Sequence, residues 1–353
     1  MAAQIKYHQK SKLLLAKIQT VDEATPVTPA GSDAIAIFDA DFQPELESET
    51  FQYTGSELDD DEGVTMKDRY ATASGDTFVP ALGTIANGSA ATVSGFALGK
   101  LFQAAGANVV AGSGTGAAPG NLTDQSIVID KTATTNTTLT LDMLEESSAD
   151  LTNQNLYRLY GVRANVDLDI EVGSRARLKW NFKGNSYDSL VGHESDFPMV
   201  QNPKIVPNYG TQKDIIMDAV RQSTITRAEL QLYGTSFANS NNISFSKLSA
   251  PNLLGWEYGR FLSALEEGFD KGATGTDIVL TVLTAKADST FVAEKMLEKV
   301  YHFQFAWGLT KGKRVKLVFD KLQCMGISNA TVGNYKAKNI TFRRTGNVEL
   351  TMS

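Results

Sequence analysis

The sequence is poor in the residues from which metal sites and covalent cross-links are built. Its 353 residues include one cysteine, Cys324, and three histidines, His8, His193 and His302. A single cysteine cannot form an intramolecular disulfide, and it also excludes a Cys-rich metal site. The histidines lie far apart in the chain and match no metal-ligand spacing. No disulfide framework, bound metal or cofactor is therefore expected.

Two further absences concern charge and long apolar segments. The formal net charge is −7, whereas tight binding to nucleic-acid phosphates requires clustered Lys and Arg. An acidic surface would still let DNA pass without adhering to it. The chain also contains no run of about twenty apolar residues, the length that a membrane-spanning helix needs. Neither a membrane nor a specifically bound nucleic acid is an expected partner.

Catalytic motifs are missing as well, although three segments resemble one in part. Residues 95–101, GFALGKL, have one residue too few between the glycines of a phosphate loop and Leu101 in the magnesium-binding position. The glycine-rich residues 112–116 precede no predicted helix. The acidic residues 59–63 resemble a calcium loop in composition, but Leu58 occupies the first ligand position. We therefore do not expect an enzyme.

What the sequence does contain is a strict alternation of apolar and polar residues within the segment 157–184. This period of two predicts a pair of half-buried strands joined at Val172, Gly173 and Ser174, with Gly173 in a left-handed conformation. The apolar residues of both strands would share one buried face. On the other face the register pairs each acid of the first strand with a base of the second: Asp167 with Lys179, Asp169 with Arg177, and Glu171 with Arg175.

The rest of the chain predicts further strands and few helices. Residues 301–309 and 315–319 alternate as a second hairpin, and Ser94–Gly106 has the capping residue, apolar stripe and terminal glycine of a helix. Residues 290–301 have helical spacing. Residues 10–21 predict a strand or short helix followed by a linker, hence an N-terminal arm outside the core. We divide the chain into an arm (1–33), a first module (34–190) and a second module or outer domain (191–353).

The order of these pieces resembles the major tail (tail tube) proteins of long-tailed bacteriophages. The resemblance spans most of the chain in short patches without a catalytic signature. One patch is the apolar segment 12–18 with residues 33–35 after the linker, and another is residues 74–78 with the helix 95–106. The third comprises the hairpin segments 159–163, 171–173 and 178–184.

The resemblance implies a mainly β fold, a β-sandwich or small barrel module with a flanking helix. Long hairpins from every copy would join into one inner β-barrel, and stacked rings would form a hollow tube. Double-stranded DNA would cross this tube without specific binding. The other partners would be the tape measure, tail terminator and tail tip proteins, in a virion tail assembled in the host cytoplasm.

The same resemblance suggests roles for particular residues. Asp167, Asp169 and Glu171 are candidates to line the lumen, where their charge would repel phosphates. The other interpretation is that these acids pair with the facing bases on an outer surface. The candidates for contacts between rings or subunits are Asp59, Asp60, Asp61, Glu62, Lys12 and Leu14.

Two questions of organisation stay open at this stage. A weak repeat relates residues 177–182 (RLKWNF) to 314–319 (RVKLVF). If it reflects duplication, three chains of two modules would make a pseudo-sixfold ring; otherwise six chains would make the ring, with part of the chain from Gln201 onward outside it. The alternative functions are another phage assembly or secretion-tube subunit, and a soluble β-sandwich that binds a ligand.

Overall fold

A computed structural model gives the fold of the chain. It describes residues 7–20, 25–51, 63–79, 98–111, 127–130, 137–147, 153–184, 186–187, 200–203, 206, 229–233, 240–260, 267–271, 277–283, 300–307 and 315–352. Strands account for most of the described residues, which confirms the mainly β prediction.

The described strands are numbered in chain order. They are β1 (Tyr7–Ile18), β2 (Ala34–Ile35), β3 (Phe38–Phe51), β4 (Gly63–Phe78), β5 (Asn108–Ala111), β6 (Ile127–Asp130), β7 (Leu139–Ser147), β8 (Asn153–Glu171), β9 (Arg177–Gly184), β10 (Ser186–Tyr187), β11 (Val200–Pro203), β12 (Glu229–Tyr233), β13 (Ser240–Leu254), β14 (Trp256–Arg260), β15 (Glu267–Lys271), β16 (Asp277–Leu283), β17 (Val300–Trp307), β18 (Val315–Val332), β19 (Tyr335–Arg344) and β20 (Val348–Met352).

The described part of the chain contains one α-helix, α1 (Gly99–Ala104). It ends where predicted, because Gly106 takes a positive φ of 78°. The capping residue Ser94 lies outside the described residues, and so do residues 290–299 of the second predicted helix. Val300 and Tyr301, which that prediction included, instead begin β17.

The N-terminal segment is a strand of the sheet, so the prediction of an arm outside the core is wrong for it. β1 pairs antiparallel with both β2 and β7. Leu14 pairs with Ile35 on one side and with Met143 on the other, and its side chain is 1% exposed. Four successive apolar residues at positions 13–16 are buried because both faces of β1 are covered.

β8 is the longest described strand and belongs to two ladders. Its first half pairs with β7, β10 and β11, and its second half pairs with β9 and β13. Gly161 stands at the change of partners with a positive φ of 61°. Its backbone N–H donates to the side-chain oxygen of Gln19 at 2.7 Å. A strand that changes direction at a glycine can serve two sheets.

The second ladder continues from β8 in both directions. On one side the order is β8, β9, β4 and β3, and on the other side β8 is followed by β13. From β13 the antiparallel pairings run through β16, β19, β18, β17 and β12 and return to β13. These six strands therefore form a closed ring of pairings, in which the predicted second hairpin is β17 and the start of β18.

Strands from both halves of the chain share ladders. β8 of the first half pairs with β13 of the second, and β6 pairs with the C-terminal strand β20. Buried side chains of both halves also belong to one hydrophobic core. The division at residues 190 and 191 stays a prediction, and the proposed duplication stays one with it.

The β8–β9 hairpin contributes to the core the largest fully buried side chain of the described residues. Trp180 is fully buried, and its indole N–H donates to the hydroxyl of Thr77 at 2.7 Å. The rings of Trp180 and Phe102 of α1 meet edge to face with centroids 5.1 Å apart. Such a contact combines a large buried area with a satisfied polar atom. The flanking helix thus packs on the sheet, at the strand on which the strongest sequence pattern lies.

A candidate charged interface

The turn between β8 and β9 has the conformation that the sequence predicts. Gly173 has a φ of +88°, and the N–H of Ser174 donates to the carbonyl of Glu171 at 3.0 Å. The ladder pairs Asp169 with Arg177 and Asp167 with Lys179, as expected. It begins at Arg177, so the third predicted pair, Glu171 with Arg175, lies in the turn and outside the ladder.

The ion pairs themselves run diagonally rather than straight across the strands. The ammonium of Lys179 lies 2.7 Å from a carboxylate oxygen of Asp169, while Arg177 lies 3.7 Å from Asp76 on β4. Long side chains can reach a diagonal neighbour on the same face of a sheet. The charged face therefore joins three strands, β4, β9 and β8, instead of two.

β13 pairs with the other edge of β8, and its residues donate hydrogen bonds to the two inner acids, Asp167 and Asp169. Asp169 accepts a second hydrogen bond, from the hydroxyl of Ser249 at 2.8 Å, and Asp167 accepts one from the backbone N–H of Asn252 at 2.7 Å. Burial by itself would raise the pKa of Asp169, but the hydrogen bonds from Lys179 and Ser249 outweigh it. The pKa of Asp169 therefore lies below its ordinary value.

The three lumen candidates consequently differ in their surroundings. Asp167 and Asp169 are half-buried and bonded within the chain, whereas Glu171 is exposed beside the turn. The assignment of these residues to a lumen stays a prediction. Only Glu171 combines an exposed position with a place outside the β8–β9 ladder.

A concave surface of about 510 Å³ opens at this end of the hairpin. Four cations and two carboxylates line it together with the aromatic ring of Phe78. The charged residues are Arg175, Arg177, Lys179, Lys247, Asp169 and Glu171. We call this surface the basic concavity.

Aromatic rings hold the arginines of the basic concavity in place. The guanidinium carbons of Arg175 and Arg177 lie 5.4 Å and 5.8 Å from the centre of the Phe78 ring, and Phe38 packs on the same ring at 5.1 Å. Cations at these distances are attracted to the ring face. Asp76 behind Arg177 is partly buried, which raises the pKa of this carboxyl although Arg177 and Lys179 lower it in part.

β3 carries an acidic pattern that the sequence analysis left out. Acids recur with a period of two at Asp41, Glu45, Glu47 and Glu49, so their positions fall on one face of the strand. The positions opposite them on β4 supply no base: they are Ser74, Tyr70, Asp68 and Thr65. The alternation over residues 41–49 was a sufficient signal to find this stripe. The contribution of Lys247 to the basic concavity had no such signal, because only the pairing of β13 with β8 places it there.

The residues predicted to contact neighbouring rings or subunits differ in where they lie in the structure. Leu14 is buried inside this chain, so its side chain packs on β7 and β2 and is not available to a neighbouring subunit. The backbone of Lys12 pairs with Glu145. The acidic residues 59–62 lie outside the described residues, but the pairing of Phe51 with Gly63 fixes where their connection leaves the sheet.

The described residues contain neither a metal-ligand cluster nor a membrane-spanning helix. Within those ranges no group of three His, Cys, Asp or Glu side chains is arranged to hold a metal ion. Nor is any helix in that part of the chain long and apolar enough to cross a membrane.

Comparison of the whole chain with protein-family models and with curated proteins finds no match.

Proposed function

We propose that this chain is a structural subunit that assembles with its own copies into a hollow tube, as the tail tube of a long-tailed bacteriophage. The observation that carries the proposal is the edge of the sheet at β3. This strand is 14 residues long and pairs with β4 alone among the described strands. A long open edge is a template for another strand, and closing a ring of subunits removes it.

One residue of β3 marks which backbone groups face the open edge. Pro44 has no N–H, yet it sits within the ladder opposite Ala71. Proline is tolerated where the missing N–H would face away from the partner strand. Because N–H groups alternate between the two edges, Leu46 directs its N–H to the open edge as well, whereas Glu45 directs its N–H to β4.

The acidic stripe of β3 supports a role in conducting DNA. Strands that join into an inner barrel turn one face to the lumen, and a face of like charge keeps phosphates from adsorbing. The positions that pair with the stripe on β4 hold Ser74, Tyr70, Asp68 and Thr65, whereas the ladder places bases opposite the acids of β8. We therefore propose the β3 stripe as lumen lining.

A ligand-binding β-sandwich is the second candidate, and the basic concavity is the observation in its favour. Cations arranged around an aromatic ring could hold an anionic ligand. The open edge of β3 has no role in that function, which is why we place it second.

The first test is negative-stain electron microscopy of the purified chain, with class averages of end views. Hollow tubes with a regular axial repeat are expected, and three-fold or six-fold averages would decide between duplicated and single modules. A monodisperse monomer at high concentration would count against the proposal and in favour of the ligand-binding sandwich.

A matched pair of variants tests whether the β3 edge forms the tube. Leu46→Pro removes both the outward N–H and the side chain, whereas Leu46→Ala removes most of the side chain and keeps the N–H. We expect tubes from Leu46→Ala and a folded, unassembled protein from Leu46→Pro. Tubes of wild-type yield from Leu46→Pro would show that assembly does not use this edge.

A further inference from the structure

The two ends of the β3–β4 hairpin carry opposite charge. The connection between the strands leaves the sheet at the pair Phe51–Gly63 and contains the acidic residues 57–62, ELDDDE. The opposite end of β4 is Phe78, which pairs with Arg177 and lines the basic concavity. One strand therefore connects an acidic end of the molecule to a basic one.

The length of β4 separates these two ends. Its 16 residues span roughly 50 Å at about 3.3 Å per residue. The connection closes directly back onto the sheet, since Phe51 and Gly63 are paired. Its 11 residues span at most about 40 Å even when fully extended. They must also return to Gly63, so the acidic segment cannot reach the basic concavity of its own chain.

The basic concavity keeps positive charge after its internal ion pairs are counted. Asp169 offsets Lys179, and Asp76 lies near Arg177. Arg175 and Lys247 then face Glu171 as the remaining carboxylate of the lining. The Phe78 ring orients both arginines, so less side-chain freedom is lost when they bind an acid. The surface is therefore suited to a short acidic peptide segment.

We propose that the acidic segment 57–62 of one copy docks in the basic concavity of the next copy, so that copies stack head to tail. This inference rests on the proposed tube and names the contact between its successive rings. The two surfaces differ, so the contact is heterologous, and a heterologous contact that does not close produces an open filament. Charge complementarity selects this occupant, because the chain itself supplies the acidic partner at the correct end.

A charge exchange tests the contact in the full chain. R175E/R177E and D59K/D60K/D61K/E62K should each abolish tubes, since each places like charges together. The chain that carries both exchanges should assemble again to at least about half of the wild-type yield, because the attraction is restored with its signs reversed. K336E, on the exposed end of β19, is the matched control and should assemble normally. Folded single variants with no recovery in the combined variant would overturn the proposal.

A peptide experiment separates this contact from the tube itself. A labelled peptide of residues 55–63, GSELDDDEG, is titrated with the full chain and followed by fluorescence anisotropy. Binding should weaken at least about tenfold in R175E/R177E and in K247E, and about tenfold on raising the salt from 0.05 to 0.5 M. The amide peptide GSELNNNQG is the control and should not bind.

The combined outcomes distinguish the two proposals. Peptide binding without tubes would retain the docking contact and reject the tube function. Tubes without peptide binding and without charge-exchange recovery would retain the function and reject the contact. Binding of duplex DNA, lost in R175E/R177E, without binding of the acidic peptide would also reject it, because the concavity would then be a phosphate-binding surface.

Discussion

The β8–β9 and β3–β4 hairpins are neighbours in one sheet, but their acidic side chains have different surroundings. In β8–β9 the acids Asp167 and Asp169 face bases on β9, and β13 supplies further donors. In β3–β4 the acidic stripe faces polar and acidic positions, and the outer edge of β3 has no described partner. Among the described residues, the first hairpin has a partner strand on both sides, whereas the ladder places no base directly opposite the stripe and no second strand beside β3. A surface left incomplete in this way indicates where a partner belongs.

The largest expected effect is on the core beneath the β8–β9 hairpin. Trp180→Ala should lower the free energy of unfolding by about 3–5 kcal/mol, because it leaves a large cavity and removes the partner of Thr77. Urea denaturation followed by circular dichroism measures the change. Val110→Ala is the control at an exposed apolar position and should change the value by less than about 0.5 kcal/mol. Equal losses in both variants would show that Trp180 does not pack in the core.

The turn of the β8–β9 hairpin gives the next effect. Gly173→Ala should lower the free energy of unfolding by about 1–2 kcal/mol, because an L residue is strained at a φ of +88°. Gly326→Ala is the matched control, since a Cβ at either position meets no neighbouring atom within 4 Å and Gly326 has no positive φ. Thermal melts of both variants, compared at equal protein concentration, should separate them. A neutral Gly173→Ala would remove the argument that this turn fixes the register.

The contributions of Asp169 and Asp76 to the free energy of unfolding should change with pH in opposite directions. The lowered pKa of Asp169 means that its charge stabilises the fold above the ordinary pKa of about 4, and this contribution is lost as the pH falls through the lower, folded value. Asp169→Asn should therefore cost about 1 kcal/mol at pH 7 and almost nothing near pH 2.

Asp76→Asn is the contrasting variant. Burial raises the pKa of this carboxyl, so its charge costs stability at neutral pH, and the cost disappears as the pH falls. The variant should be at least as stable as wild type at pH 7 and should lose that advantage in acid. Measuring the free energy of unfolding of both variants from pH 2 to pH 7 tests these two predictions. If the difference from wild type changed with pH in the same direction in both variants, the opposite pKa shifts of Asp169 and Asp76 would be contradicted.

The smallest effect on stability is expected on the β3–β4 hairpin. E45Q/E47Q/E49Q should change the unfolding free energy of the unassembled chain by less than about 0.5 kcal/mol, because the facing positions hold no base. The same variant should increase retention of DNA by assembled tubes, measured by co-sedimentation at low salt. A loss of stability of several kcal/mol would show that the stripe is already paired within the chain.

The β8–β9 hairpin shows how far the sequence could lead. Its two inner pairs and the left-handed Gly173 were predictable, because alternation and a turn glycine together fix a register. The β17–β18 hairpin followed from the same reasoning. The arm prediction failed because four apolar residues in a row at positions 13–16 do not alternate. A strand covered on both faces gives no period of two.

The sequence by itself determined that this chain is mainly β, where its hairpins turn, and which residues of each hairpin share a face. Those properties depend on neighbours along the chain, and the period of two expresses them directly. Only the tertiary structure decided that β13 covers Asp167 and Asp169, that Lys247 joins Arg175 and Arg177, and that the acidic and basic ends of β4 lie far apart. Strand order and the ends that strands share depend on pairings between residues distant in sequence, and alternation in a single strand carries no information about its partner.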